Sequence, residues 1–423
     1  MRVVIQGLWH LGCVTAACCA QHHRVVGLDF DGATVSGLRD GKAPLFEPGL
    51  NDLIVAGLEL KTLVFSDDPK QACAGAGVLW LCYDTPVNEQ DESDVEFVLG
   101  NLRRSLPHLP EGALVLISSQ VPVGTCRKLE AEFPQFHFAY SPENLRLGKA
   151  IEAFTKAERV IVGQRSAAKR EVIEELFAPF KIRIIFMRTE SAEMVKHALN
   201  SFLALSITFI NEIARLCERT GADAKEVAAG LKSDVRIGPR AYLGPGGAFT
   251  GGTLARDVVT LTKLAGANGE HLPLISAIKV SNDEHRNWNF QRLRLRLGDL
   301  GGRTIAVLGL TYKPGTDTLR RSMAVELCHA LIQVGAVVRA VDPAIKRLPA
   351  DLAKIALVSN VPEAIVKADA VVVCTEWPEF RQVNWVDAVK RMSGRLVLDA
   401  NRFLENELKN APGVEHVSVG VAA

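Results

Sequence analysis

Arg2-Val3-Val4-Ile5-Gln6-Gly7-Leu8-Trp9-His10-Leu11-Gly12, with Val25-Val26-Gly27-Leu28-Asp29 after it, carries the clearest statement of fold in this chain. The first apolar run reads as a buried strand, Gly7 to Gly12 as a tight turn entering a helix, and the second run as a neighbouring strand. Two glycines spaced in this way directly after a strand form a dinucleotide-binding fingerprint, here with Trp9 in place of the middle glycine. Gly7 permits the tight turn and Gly12 permits close packing of helix on strand. The middle position lets backbone approach a pyrophosphate at the helix N-terminus, so Trp9 must point away or the phosphates must shift. His10 and Leu11 complete the turn. Asp29 ends the second strand about twenty residues on, where an acid accepts both ribose hydroxyls. Its charge repels a 2′-phosphate, so NAD is expected rather than NADP.

Working outward, the same alternation of short apolar runs and helical patterns continues. Strands are expected at Arg2–Gln6, Arg24–Leu28, Val78–Cys82, Leu114–Ser118, Phe136–Tyr140 and Arg159–Val162, the mark of βαβ units. Thr189–Cys217 holds neither Gly nor Pro and keeps a 3.6-residue apolar rhythm. It is expected to be one long helix, with Thr189 as its N-cap and Glu190 in its first turn. A second α/β series begins at Gly302, with strands at Thr304–Leu308, Val337–Val341, Ala370–Cys374 and Leu396–Leu398. The fold class is therefore α/β, with two doubly wound Rossmann-like domains joined by a long central helix. The expected domains are a cofactor domain at 1–186, a central helical and dimerisation domain at 187–295, and a second Rossmann-like domain at 296–423.

Composition narrows the function. Lys and Arg total 49 against 48 Asp and Glu, a net charge of +1, so no nucleic acid or other polyanion is expected as a partner. No apolar run approaches a membrane span, and the apolar start is broken by Gln6, Gly7, His10 and Gly12, which argues against a signal peptide. The nine cysteines are scattered and odd in number, as suits reduced thiols in a cytoplasmic protein. His10 and His22-His23 lack a convergent carboxylate or Cys set, so no metal site is expected.

Further motifs follow in a fixed order. Pro44-Leu45-Phe46-Glu47-Pro48-Gly49-Leu50 comes first, then Tyr83-Asp84-Thr85-Pro86, then Ser119-Gln120-Val121-Pro122-Val123-Gly124-Thr125. Ser141-Pro142-Glu143-Asn144-Leu145-Arg146-Leu147-Gly148 is next. On the central helix, Ala192-Glu193-Met194-Val195-Lys196-His197-Ala198-Leu199-Asn200 precedes Phe202-Leu203-Ala204 and Phe209-Ile210-Asn211-Glu212. Lys196 and Asn200 are four apart and so share a helix face. Inside an apolar helix such a pair is costly unless it binds something. Asp234-Val235-Arg236-Ile237-Gly238, Phe249 to Asp257, and Gly309-Leu310-Thr311-Tyr312-Lys313-Pro314-Gly315-Thr316-Asp317-Thr318-Leu319-Arg320 complete the series.

In this order the motifs resemble those of the UDP-glucose/GDP-mannose dehydrogenase family over nearly the whole chain. The resemblance implies NAD-dependent oxidation of a primary alcohol, C6 of a UDP- or GDP-linked hexose, by a homodimer. It places Gly7, Trp9, His10, Leu11, Gly12, Asp29, Thr85, Pro86, Ser119 and Glu143 at the cofactor. Lys196, Asn200, Asp257, Glu143 and Gln120 fall at catalytic positions, with Glu143 matching the acid that assists acyl hydrolysis and Gln120 replacing a Thr. Leu145, Arg146, Lys196, Asn200, Arg236, Tyr242, Gly247, Lys313 and Arg320 fall at the nucleotide sugar, and Arg236 is implied to reach across a dimer. Asp84 replaces a Gly near the cofactor.

One departure bears on the chemistry. The family's active-site loop reads roughly G-F-G-G-S-C-F-x-K-D. Counting back from Asp257, its Lys becomes Arg256 and its nucleophilic Cys falls on Thr253, with no Cys between Cys217 and Cys328. A Thr hydroxyl is a far poorer nucleophile than a thiolate. The expected enzyme therefore lacks the thioester route and stops at the aldehyde, or proceeds slowly through the aldehyde hydrate. The competing reading is a nucleotide-sugar-binding regulatory or assembly subunit with reduced catalysis. A hydroxyacid or 6-phosphogluconate-type dehydrogenase shares the layout and lacks the Lys313–Arg320 motif.

Overall fold

The computed structural model describes residues 1–423 except 89–91, 144, 146, 251–252, 412 and 423. It divides into two compact units, residues 1–199 and 200–423. The division falls within the central helix, Thr189–Thr220, 32 residues long.

In the first unit β1 (Arg2–Gln6), β2 (Arg24–Leu28), β3 (Leu63–Ser66), β4 (Val78–Leu81), β5 (Leu114–Ile117), β6 (His137–Tyr140), β7 (Arg159–Gln164) and β8 (Arg183–Met187) form one sheet. Their order is β3-β2-β1-β4-β5-β6-β7-β8, and every pairing is parallel except β6 with β7. Runs such as Val3-Val4-Ile5 and Leu114-Val115-Leu116-Ile117 are buried on both faces, as parallel strands covered by helices require. One apolar layer lies on each side of the sheet.

The second unit repeats the plan. β9 (Thr304–Leu308), β10 (Val337–Val341), β11 (Ala356–Leu357), β12 (Ala370–Val373), β13 (Leu396–Asp399) and β14 (Glu415–Val417) form a parallel sheet in the order β11-β10-β9-β12-β13-β14. In both sheets the chain reverses direction of travel between its first strand and the strand after the crossover, β1 with β4 and β9 with β12. That crevice is where doubly wound sheets bind ligands.

The ten strands expected from sequence are all present within a residue or two. The four not anticipated are β3, β8, β11 and β14, the edges of the two sheets. β11 is two residues long and β14 three, too short to show a pattern, whereas β3 (Leu63-Val64-Phe65) and β8 (Ile184-Ile185-Phe186-Met187) are apolar runs that the expected set omits. Thr189 is also corrected. It is the first helical residue and not the cap, because Ala192 N–H already bonds the Arg188 carbonyl at 3.0 Å. Its hydroxyl turns to the Glu190 carboxylate at 3.1 Å.

Candidate functional site

The first unit is built to receive a dinucleotide. Gly7 sits at φ +96°, and a Cβ there would lie 2.6 Å from the Tyr83 backbone nitrogen. A Cβ at Gly12 would lie 1.7 Å from the Gly7 carbonyl oxygen, so no side chain fits either position. The helix His10–Cys19 that follows has no side-chain cap and no acid in its first turn, leaving its N-terminal N–H groups for an anion. Trp9 occupies the cap position and is 47 % exposed, at the surface rather than inside the turn. Leu11 turns its side chain into the core, so only its backbone faces the turn.

Asp29 ties the turn to the second strand. Oδ2 accepts from Leu8 N–H at 2.6 Å and Oδ1 from Asp31 N–H at 3.0 Å, and lone pairs remain on both oxygens for ribose hydroxyls. His10 turns to a carboxylate. Its Nε2 meets the buried Glu47 at 2.9 Å, and Glu47 also accepts from Gly148 N–H at 2.7 Å and Ala150 N–H at 2.9 Å. Burial pushes that carboxyl up, but the His10 and backbone donors outweigh it and hold it below the usual range. Among the described residues no group of three or more His, Cys, Asp or Glu could hold a metal ion. Thr85 donates its hydroxyl to the Gln120 carbonyl at 2.7 Å, and Pro86 is exposed beside it. The Ser119 hydroxyl is buried with no partner among the described residues, an open valence of the kind a cofactor fills. These features fit NAD.

The loop after β6 carries the acid and meets the lysine. Lys196, 5 % exposed, donates from Nζ to the Glu143 carbonyl at 2.6 Å and lies 3.4 Å from Glu143 Oε1. Glu143 Oε2 accepts from Leu145 N–H at 2.7 Å. Leu145 rests against the core. Arg146 lies outside the described residues. Gln120 is buried on the loop after β5.

In the second unit Asn200 Nδ2 donates to Asp257 Oδ2, and Asp257 is fully buried. Asp257 follows Thr253 by one turn on the helix Thr253–Ala267. Thr253 is exposed and lines a cavity of about 520 Å³ with Tyr242, Gly247, Thr250 and Tyr312. Burial raises the Tyr312 phenol, and a hydrogen bond to Thr250 opposes that rise. All nine cysteines are free thiols, and Cys217 and Cys328, which flank Thr253 in sequence, are both buried.

The glycine loop ahead of Thr253 is held by side chains that no motif had singled out for the task. Asn211 takes Gly246 N–H (3.0 Å) and gives to the Gly247 carbonyl (3.3 Å). Asn401 accepts from Gly247 N–H at 2.7 Å, and Asn282 brackets Phe249 at N–H and carbonyl (2.9 and 3.0 Å). His285 Nε2–H donates to the Gly246 carbonyl at 2.7 Å, and burial lowers its pKa, keeping the ring neutral in that tautomer.

After β9 the second sheet repeats the first fingerprint's device. Asp342, at the end of β10, accepts from Leu310 N–H (2.7 Å) and Thr311 N–H (3.0 Å), as Asp29 does after β1. Lys313, half-buried, and Arg320, exposed, stand on the loop that follows, closed by Tyr312 N–H to the Thr318 carbonyl at 2.9 Å. Arg236 lies on the loop 234–238. Its guanidinium is exposed and clasped by Asp234 at 3.0 and 2.6 Å.

Comparison with known proteins bears on the whole chain. Residues 1–181 match the UDP-glucose/GDP-mannose dehydrogenase family, NAD binding domain, residues 190–284 its central domain, and residues 306–406 its UDP binding domain. The chain is 33 % identical to the UDP-glucose 6-dehydrogenase TuaD of Bacillus subtilis, over 99 % of this chain and 93 % of that protein. It is also 33 % identical to the UDP-glucose 6-dehydrogenase of Rhizobium meliloti, over 99 % of each. Among solved structures, a UDP-glucose dehydrogenase from Pyrobaculum islandicum superposes with a TM-score of 0.89 at 29 % identity, covering 100 % of this chain and 98 % of that one. A UDP-D-ManNAc dehydrogenase from Pyrococcus horikoshii gives 0.86 at 26 % identity, covering 99 % of each.

Proposed function

The chain belongs to the UDP-glucose/GDP-mannose dehydrogenase family, and we propose that it oxidises C6 of UDP-glucose by two electrons, releasing the aldehyde. That it is an NAD-dependent nucleotide-sugar dehydrogenase follows from the family and the relatives. The choice of UDP-glucose over a GDP-hexose rests on the relatives' substrate and on the match to a UDP-binding domain. We assign NAD to residues 1–186, subunit contacts to 187–295 and the nucleotide sugar to 296–423.

The observation that carries the reading is a buried Lys196 one helical turn before Asn200, whose amide holds the buried carboxylate of Asp257. NAD, when bound, supplies the hydride acceptor. Lys196 places an ammonium where negative charge develops on O6, and its desolvation strengthens that effect. Asp257, oriented by Asn200, holds the water that receives the hydroxyl proton. Glu143 anchors Lys196, and Gln120 lies beside them in this assignment. Lys313 and Arg320 provide cations for the diphosphate, and Tyr242, Gly247, Leu145 and Arg146 complete the sugar site. The test is NADH formation with UDP-glucose against GDP-mannose. No reduction with either would remove the proposal.

Asp29→Ala is expected to weaken NAD by about 1–3 kcal/mol, because it removes an acceptor from both the ribose and Leu8 N–H. Tighter or equal binding of NADP to the unmodified protein would show the assignment of Asp29 to be wrong.

We also propose a homodimer through the central helix. Phe202 (65 % exposed), Phe209 and Leu216 stand on its surface, Leu203 and Ile207 are half-buried, and Val235 and Ile237 are exposed in the loop of Arg236. Such apolar surface on a second copy would be mutually covered, and Arg236 would reach the partner's site. Sedimentation at micromolar protein is expected to give a dimer, with Phe202→Glu shifting it to monomer. A monomeric unmodified protein rejects the idea.

A further inference from the structure

The turn of the central helix that presents Lys196 also grips the loop of Gln120, and nothing in the motifs assigns that grip a role. Glu193, three residues before Lys196, is fully buried. Its Oε2 accepts from Gly124 N–H at 2.6 Å and its Oε1 from Cys126 N–H at 2.9 Å. Burial raises its carboxyl, and these two N–H groups oppose the rise. They open the helix Thr125–Glu132, whose own cap residue, Gly124, offers no side chain. His197, one residue after Lys196, donates from Nε2–H to the Val121 carbonyl at 3.1 Å. The loop after β5 is thus held at Val121 and at its far end, Gly124, by residues one helical turn apart, with Lys196 between them in sequence. From the other side, Thr85 holds the Gln120 carbonyl.

A buried carboxylate is costly unless its hydrogen bonds are complete. Glu193 spends both oxygens on one helix N-terminus, where two oriented N–H groups and the helix dipole favour negative charge. Position 124 cannot supply the cap itself, because its φ of +92° is a left-handed conformation in which Ser, Thr or Asp would be strained. Supplying it from the central helix makes the N-terminus of one helix report the position of another. The result is that Gln120 and Ser119 are registered against Lys196 by three hydrogen bonds to a single helical turn.

We propose that Glu193 and His197 are positioning residues for the oxidation, setting the register of the Ser119–Gly124 loop against Lys196. The inference rests on the proposed role of Lys196 in stabilising charge on O6. Displacement of a supporting loop by about 1 Å can cost 10²-fold in rate without changing which groups are present.

The test uses the full chain. Glu193→Gln keeps the shape but sets an amide N–H₂ against one of the two backbone donors. It is expected to lower kcat about 10- to 100-fold while KM for NAD stays within about twofold. Hydrogen exchange should rise in peptides covering 119–126 and stay unchanged over Arg2–Cys19. His197→Gln, which can still donate to Val121, should retain most of kcat, whereas His197→Leu should lose it. The second pair keeps the question open to refutation if Glu193→Gln folds poorly. The proposal is overturned if Glu193→Gln keeps full kcat, if its loss merely tracks the folded fraction, or if Gln and Leu at 197 behave alike. Should the unmodified protein reduce no NAD with UDP-glucose, the reading of Lys196 fails. The clamp is then decided by exchange alone, and unchanged protection at 119–126 in Glu193→Gln refutes it.

Discussion

With UDP-glucose and excess NAD, a reaction carried to completion is expected to release one NADH per nucleotide sugar, with a carbonyl product that hydroxylamine traps. The alcohol step asks for charge stabilisation and a proton acceptor, roles that fall to Lys196 and to the Asn200–Asp257 pair in the proposed reaction. The aldehyde step asks for a nucleophile that forms an adduct from which hydride departs and whose acyl product water then cleaves. Thr253 lines the cavity, but its hydroxyl is neutral at pH 7 and any ester it formed would hydrolyse less readily than a thioester. Thr253→Cys is expected to raise the yield toward two NADH per sugar, because a thiol ionises far more readily than a hydroxyl and its thiolate is the better nucleophile. Two NADH from the unmodified protein, with no trappable carbonyl, would show that the thiol is dispensable in this enzyme.

Lys196→Ala is expected to lower kcat by about 10²- to 10³-fold (~3–4 kcal/mol), the usual cost of deleting a group aimed at developing negative charge. The affinity for NAD should change little, since Lys196 bonds the Glu143 loop and not the fingerprint turn. Removing it also leaves the Glu143 carbonyl without its ammonium donor, at a cost of about 1–3 kcal/mol to the first unit. Stability and turnover therefore separate by size: a lower melting temperature with near-normal kcat would mean that Lys196 is only a strut. Lys196→Arg is not expected to restore the rate, because a planar fork cannot replace a compact ammonium in the same buried space.

The interior strands, the long central helix and the first glycine turn were legible in the sequence, each from a local pattern; that the turn after β9 repeats the device emerged only from the Asp342 hydrogen bonds. Buried parallel strands such as β1 and β5 must be continuously apolar, and the central helix must avoid Gly and Pro for 32 residues. Of the edge strands, β11 and β14 are two and three residues long and carry no pattern, whereas β3 and β8 are apolar runs that the expected set omits. The i, i+4 spacing put Lys196 and Asn200 on one helix face, where both are buried, and the spacing of Asp29 from Gly7 brought it to the first turn, where it accepts from Leu8 N–H. Asn282, His285 and Asn401 were not, since their partners in the glycine loop lie 33, 39 and 154 residues away.

By itself the sequence determined the α/β class, the family, the NAD preference expected of Asp29 and the absence of a thiol near Thr253. Each follows from residue types at short fixed spacings, which helix and strand periods translate directly into a face or a turn. Only the tertiary structure decided that Glu193 caps a helix beginning at 125, that Glu47 answers His10, and that three asparagines and a neutral histidine hold the glycine loop. The physical reason is that a buried polar group must find a partner, and the partner is whichever backbone the fold brings within about 3 Å, at a sequence distance that no period records.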